Sequence, residues 1–410
     1  MQTSLASWIR DTTDGREAEA ILRTCVHCGF CNATCPTYQL LGNELDGPRG
    51  RIYLIKQVLE GKPATAATQL HLDRCLTCRN CETTCPSGVQ YSHLLDIGRR
   101  VVEKKVVRPM AAAATRAALR EGLTSNAFAP AFRLGQVLRP FLPATLRSKV
   151  PPLATARTRG AARRAHPRRM LYLAGCVQPA MQPNINAATE RVFDALGVQL
   201  TAADGAGCCG AIRHHLADLE GARADARRNI DAWWPQLQSG VEAIVMNASG
   251  CGATVREYDH LLREDPRYAE KAARIVAATK DVAEVVPGLV EQAAPRMGPV
   301  EMRRVAFHPP CTLQHAQKIR GVVESMLRAV GADVVGFEEA HLCCGSAGTY
   351  SVLQPELAGR LRDRKLERIE VARPDVILSA NIGCISHLQG GSARPVMHWI
   401  EWLDRALAPA

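Results

Sequence analysis

Cysteine is the residue type whose spacing points to chemistry in this chain of 410 residues, which contains 16 of them. Residues 25–36 read CVHCGFCNATCP and residues 75–86 read CLTCRNCETTCP, so C-x2-C-x2-C-x3-C-P occurs twice, 50 residues apart. This is the spacing of two-cluster bacterial ferredoxins, in which the fourth cysteine of each run binds the neighbouring cluster. The runs therefore predict two [4Fe-4S] clusters, one held by Cys25, Cys28, Cys31 and Cys85 and the other by Cys75, Cys78, Cys81 and Cys35.

Two other uses of clustered cysteines fit these runs less well. Zinc sites pair their ligands two and two, with four ligands per ion, whereas each run brings three closely spaced cysteines. Disulfide frameworks belong to small secreted domains, and the first twenty residues lack the positively charged start and long apolar region of a secretory signal. The runs therefore indicate iron–sulfur ligation in a cytoplasmic protein.

The remaining eight cysteines form a second, longer repeat. In each copy a predicted strand leads into a helix, a second strand runs to a Cys-Cys-Gly turn, and a third apolar strand ends at the last cysteine. This alternation predicts a parallel sheet, in which ligands gather at the carboxyl ends of the strands. Each set is thus a candidate metal site for a third cluster or for zinc, or a set of free thiols: Cys176, Cys208, Cys209 and Cys251, and Cys311, Cys343, Cys344 and Cys384.

One of the Cys-Cys-Gly turns lies within GAGCCG, residues 205–210, which also fits the G-x-G-x-x-G spacing of a dinucleotide-binding loop. The second copy reads AHLCCG at 340–345, so the cysteines and the last glycine recur while the first two glycines do not. The stretch also follows the second strand of its unit rather than the first. Nucleotide binding is therefore disfavoured, and the small Gly210 and Gly345 are expected to permit a tight turn.

Histidines distinguish the two copies. The second has His308, His315 and His341 where the first has Leu173, Ala180 and Ala206. Such histidines are commonly ordinary hydrogen-bonded groups, and the alternative is that they tune a cluster or carry protons.

The elements that must position these cysteines predict an α + α/β protein. Helical patterns in EAEAILRT, GPRGRIYLIKQVLEG and YSHLLDIGRRVVEKK favour an all-helical ferredoxin-like domain over residues 1–100. Two duplicated α/β modules with parallel sheets follow at 170–290 and 300–410. Between them and the helical domain, residues 101–169 are predicted to form a basic helical connector that ends in a Pro/Arg-rich linker.

Charge is concentrated in that connector. From Arg99 to Arg169 there are 17 Lys and Arg against two acids, a net +15, so the rest of a chain with total charge +11 carries −4. The segment is either a solvated linker or a docking surface for an acidic partner or a lipid headgroup, because no nucleic-acid motif accompanies it. No apolar stretch is long enough for a transmembrane helix. We expect a cytoplasmic protein, with peripheral contact to the inner face of the membrane as an alternative.

Two ferredoxin-type runs followed by two Cys-Cys-Gly modules resemble the iron–sulfur subunits of flavin-dependent respiratory oxidases and heterodisulfide reductases. More narrowly, CVHCGFCNATCPTYQLLGNELDGPRGRIYLIKQVLEG, HLDRCLTCRNCETTCPSGV, NIDAWWP, ASGCGA, CTLQHAQK and HLCCGSAGTY are similar to the iron–sulfur subunits of bacterial glycolate oxidases. The resemblance spans nearly the whole chain and is weakest in the basic linker.

The resemblance implies an electron-transfer subunit of an oxidoreductase complex. Separate flavin-binding subunits would oxidise glycolate or another 2-hydroxy acid, and this subunit, with no catalytic residue of its own, would pass the electrons toward a quinone. The alternatives are a heterodisulfide-reductase-like subunit that reduces a disulfide and an iron–sulfur subunit of a lactate or glycerol-3-phosphate dehydrogenase. The heterodisulfide pattern ends in C-x2-C, whereas Ala248 and Asn381 stand at the earlier position here, which weighs against that alternative. The substrate, the cluster potentials, the quinone site and the stoichiometry are not encoded in recognisable motifs.

Overall fold

The computed structural model describes residues 1–125, 127–141 and 165–407. Residues 142–164, which include most of the predicted Pro/Arg-rich linker, lie outside the described residues. The part before the first module, called here the dicluster domain (residues 1–100), is helical as predicted. Its helices are Ser7–Arg10, Thr13–Thr24, Phe30–Ala33, Pro36–Leu41, Pro48–Leu59, Ala66–Asp73, Asn80–Thr84 and Tyr91–Lys105, with a 3-10 turn at Glu44–Asp46.

Two long helices, Pro48–Leu59 and Tyr91–Lys105, form the centre of the dicluster domain. The first buries Ile52, Ile55 and Val58 on one face, which is the stripe that its sequence predicts. The helices approach closely at Gly98, where a Cβ atom would lie 2.6 Å from the Ile55 side chain. The two helices are therefore packed tightly against each other.

The connector is helical where the structure describes it, at Met110–Thr124 and Phe128–Val137, with a 3-10 turn at Arg139–Phe141. Part of its charge is paired with the domains on either side. Arg108 lies 2.6 Å from Asp73 of the dicluster domain, and Glu121 accepts from Arg213 of the first module at 2.9 Å. Across the described ranges, no helix is long and apolar enough to cross a bilayer.

Each module contains a four-stranded sheet in which every neighbouring pair of strands is parallel. The strands are β1 Arg168–Tyr172, β2 Val198–Ala202, β3 Ile244–Met246, β4 Thr279–Asp281, β5 Arg304–His308, β6 Asp333–Val335, β7 Val376–Ser379 and β8 Val396–His398. The first module (residues 170–290) has the strand order β2-β1-β3-β4, and the second (residues 300–410) has the order β6-β5-β7-β8. The predicted α + α/β architecture is thus confirmed. The sequence does not predict the fourth strand of each sheet, β4 or β8, because each lies beyond the last cysteine of its repeat and runs directly into a helix.

Helices cover both sheets. In the first module they are Gln178–Met181, Pro183–Ala195, Ala211–His215, Leu219–Gln238, Ser249–Val255, Tyr258–Leu261, Ala269–Ala278 and Val282–Ala293. In the second they are Val322–Ala329, Tyr350–Leu353, Pro355–Val371, Ile382–Gln389 and Trp399–Ala406, with a π-helical turn at Thr312–Ala316.

The two modules share one hydrophobic core rather than packing as separate bodies. The last helix, Trp399–Ala406, lies against Pro183–Ala195 of the first module, where Arg191 pairs with Asp404 at 2.7 Å. In return, Val282–Ala293 of the first module packs on Val322–Ala329 of the second. Apolar residues of both sheets, including Val245 and Ile377, belong to one continuous cluster of buried side chains.

Candidate metal centres

The two cysteine runs of the dicluster domain adopt the same unusual backbone. His27 and Gly29 in the first loop have φ of 60° and 88°, and Thr77 and Arg79 at the matching positions of the second have 53° and 57°. Left-handed residues at alternate positions curl the chain tightly, so the cysteines between them point toward one centre. Non-glycine residues in this region are strained, and Arg79 is held there by ion pairs of 2.7 Å to Glu82 and to Glu257.

Each loop lines a separate cavity, and each cavity also receives cysteines from the other run, Cys81 and Cys85 in the first cavity and Cys35 in the second. The first is lined by Cys25, Cys28, Cys31 and Cys85, and the second by Cys35, Cys75, Cys78 and Cys81. These are the sets expected from the spacing, with the fourth cysteines exchanged. Pro48, Cys81 and Tyr91 line both cavities, so a single layer of side chains separates them. Four thiols around one cavity are the donor set that a [4Fe-4S] cluster requires.

Polar groups surround the second cavity. The guanidinium of Arg51, 1 % exposed, lies 4.0 Å from Cys35 Sγ and donates to the carbonyl of His71 at 2.7 Å. The Tyr91 hydroxyl and the Thr77 amide both donate toward Cys75 Sγ, at 3.7 Å and 3.5 Å. A buried cation and two hydrogen-bond donors therefore lie next to the sulfur atoms of this cavity. Arg51 and Tyr91 have no signature in the sequence that would have marked them as neighbours of a metal centre.

A cluster of histidines and acids joins the dicluster domain to the first module. His93 Nδ1 lies 3.2 Å from Glu17, and its Nε2 lies 3.0 Å from Glu257 of the first module. Burial disfavours a charged imidazole, but the hydrogen bonds to Glu17 and Glu257 outweigh it and raise the pKa of His93 to about 10. The ring of His260 stacks on that of His93 at 4.0 Å and lies 2.7 Å from Glu17. The contact is therefore a buried ion-pair network centred on His93.

We expect this network to weaken in alkali. The pKa of His93 rises from 6.5 to about 10 in the folded chain, so its stabilisation is complete below pH 6.5 and is lost as the pH rises from 6.5 to about 10. The unfolding temperature should fall across that range, and His93→Gln should flatten the fall. Glu264→Gln, at the same boundary but hydrogen-bonded to Thr13, is the matched control and should keep the slope. An unchanged slope in His93→Gln would contradict the assignment.

The second module contacts the dicluster domain through its cysteines. The thiols of Cys311 and Cys78 are hydrogen-bonded to each other, and Leu76 packs with Cys343 and Tyr350 in a buried apolar cluster. The second cavity of the dicluster domain therefore lies directly against the cysteines of the second module, whereas the first module meets the domain through ion pairs.

The cysteines of the first module form a hydrogen-bonded series that runs from Cys176 through Cys208 and Cys209 to Cys251. Cys208 accepts from Cys176, from Cys209 and from the Gly210 amide at 3.4 Å, and these bonds lower the pKa of its thiol to about 3. The same amide bond, from Gly345 to Cys343 at 3.4 Å, occurs in the second module. Both glycines are left-handed, and a Cβ on Gly345 would lie 2.5 Å from the Ala358 carbonyl, so the turn needs glycine.

In the second module the series runs from Cys311 through Cys343 and Cys344 to Cys384, and all four side chains are buried. The hydrogen bond from Cys311 lowers the pKa of the Cys343 thiol, but the hydrogen bond with Cys344 and burial together outweigh it and raise the pKa to about 12. Asn381 stands where the heterodisulfide reductase pattern has the first cysteine of its final C-x2-C. Its side-chain amide is directed toward Cys384 Sγ at 3.8 Å. Each module thus presents four thiols in one place.

The histidines that distinguish the second module have different surroundings. His315 Nδ1 lies 3.1 Å from Thr83 of the dicluster domain, and its Nε2 lies 2.9 Å from the carbonyl of His341. His315 and His341 therefore belong to the domain boundary. His308 alone lies among the module's cysteines.

Comparison with known proteins matches two family models. A 4Fe-4S dicluster domain matches residues 21–89, and a cysteine-rich domain matches residues 170–256 and 305–389. The matches cover both sets of cysteines described above and support iron–sulfur clusters as the cofactors.

Individual relatives cover the whole chain or parts of it. The chain is 52 % identical to the glycolate oxidase iron-sulfur subunit of Escherichia coli over 99 % of both chains. It is 30 % identical to the probable glycolate oxidase iron-sulfur subunit of Bacillus subtilis, over 92 % of this chain and 91 % of the relative. Lactate utilization protein A of Bacillus licheniformis is more distant, at 26 % identity over 56 % of this chain and 96 % of the relative.

Proposed function

The chain belongs to the family of glycolate oxidase iron–sulfur subunits, and we propose that it carries electrons from the flavin-binding subunits of a glycolate oxidase toward a quinone. Iron–sulfur clusters supply one-electron chemistry when bound. The eight cysteines of the two runs are the proposed ligands, in the crossed sets given above. The observation that carries the proposal is the single shared layer of Pro48, Cys81 and Tyr91 between two four-cysteine cavities, which suits a relay.

The substrate chemistry is proposed to take place on the partner subunits. Each cavity is surrounded by at least four thiols, a donor set that suits an inorganic cluster better than a carboxylate substrate. The experiment is to isolate the chain alone and in complex with flavin-binding subunits. Glycolate should reduce the clusters only in the complex, and turnover of glycolate by the isolated chain would overturn the proposal. Lactate, offered to the same complex as a competing 2-hydroxy acid, tests the choice of substrate.

The surface around the first cavity supports a docking site for a flavin subunit. Cys28 is exposed, and the apolar side chains next to it in the loop, Val26 and Phe30, are 68 % and 62 % exposed. Exposed apolar residues beside a cluster ligand allow a partner to approach the cluster while the contact excludes water. The second cavity, by contrast, lies against the second module. We therefore propose that electrons enter at the first run.

Phe30→Ser should weaken binding of the flavin subunits by roughly tenfold or more, because burying a phenylalanine contributes about 1.5–3 kcal/mol. The iron content of the chain should not change, since Phe30 is not a ligand. Binding is measured by titration with the flavin subunits. Val371→Ser replaces another apolar side chain, 80 % exposed on the second module, and should leave binding unchanged. Equal binding by the Phe30 variant and the parent would place the docking surface elsewhere.

The heterodisulfide-reductase alternative is not favoured by any specific contact. Membrane attachment through the basic connector also stays a prediction, although two of its arginines, Arg108 and Arg116, are already paired with Asp73.

A further inference from the structure

His308 is a buried histidine without a hydrogen-bonding partner. It ends strand β5, its side chain is 0 % exposed, and neither ring nitrogen has a partner among the described residues. Buried polar groups in folded proteins are nearly always hydrogen-bonded, so such a group requires an explanation. Its backbone carbonyl, which accepts from Ser379 at 2.9 Å, fixes the residue in place.

The imidazole faces two thiols. One ring nitrogen of His308 and the Sγ atoms of Cys344 and Cys384 all lie within 4.8 Å of one another, and all three residues are buried. The three come from different elements, namely the end of β5, the Cys-Cys-Gly turn and the helix Ile382–Gln389. They therefore converge on a point that no single segment of the chain could create.

This spacing suits one metal ion rather than a cubane cluster. Zinc binds sulfur at about 2.3 Å and histidine nitrogen at about 2.0–2.1 Å, so ligand atoms around a tetrahedral ion lie roughly 3.5–3.8 Å apart. The thiolates of a cubane bind separate irons and lie further from one another. Among the described residues, none of the eight cysteines of the dicluster domain belongs to a group of three donor atoms that all lie within 4.8 Å of one another.

The first module provides an internal comparison. Its four cysteines occupy the same places after the same strands, but Leu173 stands where the second module has His308. No group of three donors as compact as that of His308 forms around the first module's cysteines in the described part of the chain.

Two further features favour an anionic metal site. Cys343 is hydrogen-bonded to Cys344, which makes it a candidate for a fourth ligand. The side-chain nitrogen of Lys365, 2 % exposed, donates to the carbonyl of Glu339. A buried cation offsets the negative charge that three thiolates would bring to one Zn²⁺ ion.

We propose that the second module binds one zinc ion through His308, Cys344 and Cys384, with Cys343 as the fourth ligand. Mixed imidazole and thiolate donors in a closed, buried site are typical of structural zinc. Binding would release the thiol protons and join strand, turn and helix. This inference goes beyond electron transfer and does not depend on which flavoprotein is the partner.

The direct test is metal analysis and zinc-edge X-ray absorption on the full chain. We expect about one zinc per chain beside about eight irons, with nitrogen and sulfur scatterers at the distances given above. About twelve irons without zinc would overturn the proposal in favour of a third cluster. Eight irons with no retained zinc would also overturn it. Neither outcome bears on whether glycolate reduces the two clusters in the complex, so the two proposals fail separately.

Variants assign the ligand. His308→Leu, which installs the residue of the first module, should weaken zinc binding more than about 100-fold, because losing a mere outer-shell partner already costs 10–100-fold. His308→Cys should retain zinc with only sulfur ligands, a result that a purely packing role would not produce. His387→Gln is the control, a histidine on the helix that carries Cys384 whose ring contacts the Ala358 carbonyl. Full zinc retention in His308→Leu would overturn the assignment, even if the variants lose thermal stability.

Discussion

Cys85→Ser should remove the cluster of the first run, and Cys35→Ser should remove that of the second. Each fourth cysteine lines the cavity of the opposite run, so each variant should lower the iron content from about eight to about four per chain. The spectrum of Cys85→Ser should match that of Cys25→Ser, and the spectrum of Cys35→Ser should match that of Cys75→Ser. Paramagnetic resonance of the reduced protein measures both comparisons.

The opposite pairing would contradict the crossed assignment. If each run held its own cluster, Cys85→Ser would resemble Cys75→Ser instead. Helical content measured by circular dichroism separates loss of a cluster from loss of the fold. Thr83→Ala, near the same run but hydrogen-bonded to His315, is the control that should keep all eight irons.

Arg51→Met should lower the midpoint potential of the second cluster by roughly 50–150 mV. Two unit charges 4 Å apart interact by about 4 kcal/mol at an effective dielectric constant of 20, which is roughly 170 mV for one electron. The effect should be smaller than that limit because the added electron spreads over the cluster. The sign follows from charge, since a buried cation near Cys35 stabilises the reduced and more negative state. Potentiometric titration followed by paramagnetic resonance gives the midpoint.

The free energy of unfolding of the Arg51→Met variant should fall as well. Arg51 lies 3.7 Å from Asp46, which is itself fully buried, and breaking a buried pair costs about 3–5 kcal/mol. The loss of unfolding free energy should lie at the lower end of this range, because His71 and Arg74 still contact Asp46, at 2.9 Å and 3.0 Å. Arg51→Lys should restore most of the potential, and Lys56→Met, on the same helix but paired with Glu60, should change neither property. An unchanged midpoint in Arg51→Met with full iron would show that Arg51 has only a structural role.

The sequence could predict what depends on short segments of chain. The helix Pro48–Leu59 follows from its apolar stripe, and both ferredoxin-type runs carry their ligand spacing within twelve residues. The modules were recognisable because duplication repeats the distance from cysteine to Cys-Cys-Gly. The strands β4 and β8 escape prediction, since each runs directly into a helix and only its pairing with β3 or β7 identifies it as a strand.

What the sequence could not predict depends on residues that are distant in the chain. Cys78 and Cys311 are hydrogen-bonded thiols from different domains, and no pattern in either segment announces the contact. Arg51 resembles any helix arginine until its burial against Cys35 and Asp46 is known. His308 was one of three histidines that distinguish the second module, and only the fold separates it from His315 and His341.

The packing of helices of one module against helices of the other has a consequence for synthesis of the chain. The helix Pro183–Ala195 is covered by Trp399–Ala406, about 200 residues further along. At 5–20 residues per second, a ribosome needs roughly 10–40 s to add that length. During that interval the apolar face of Pro183–Ala195 that Trp399–Ala406 covers stays exposed in the nascent chain. The first module therefore completes its packing only after Trp399–Ala406 has been synthesised.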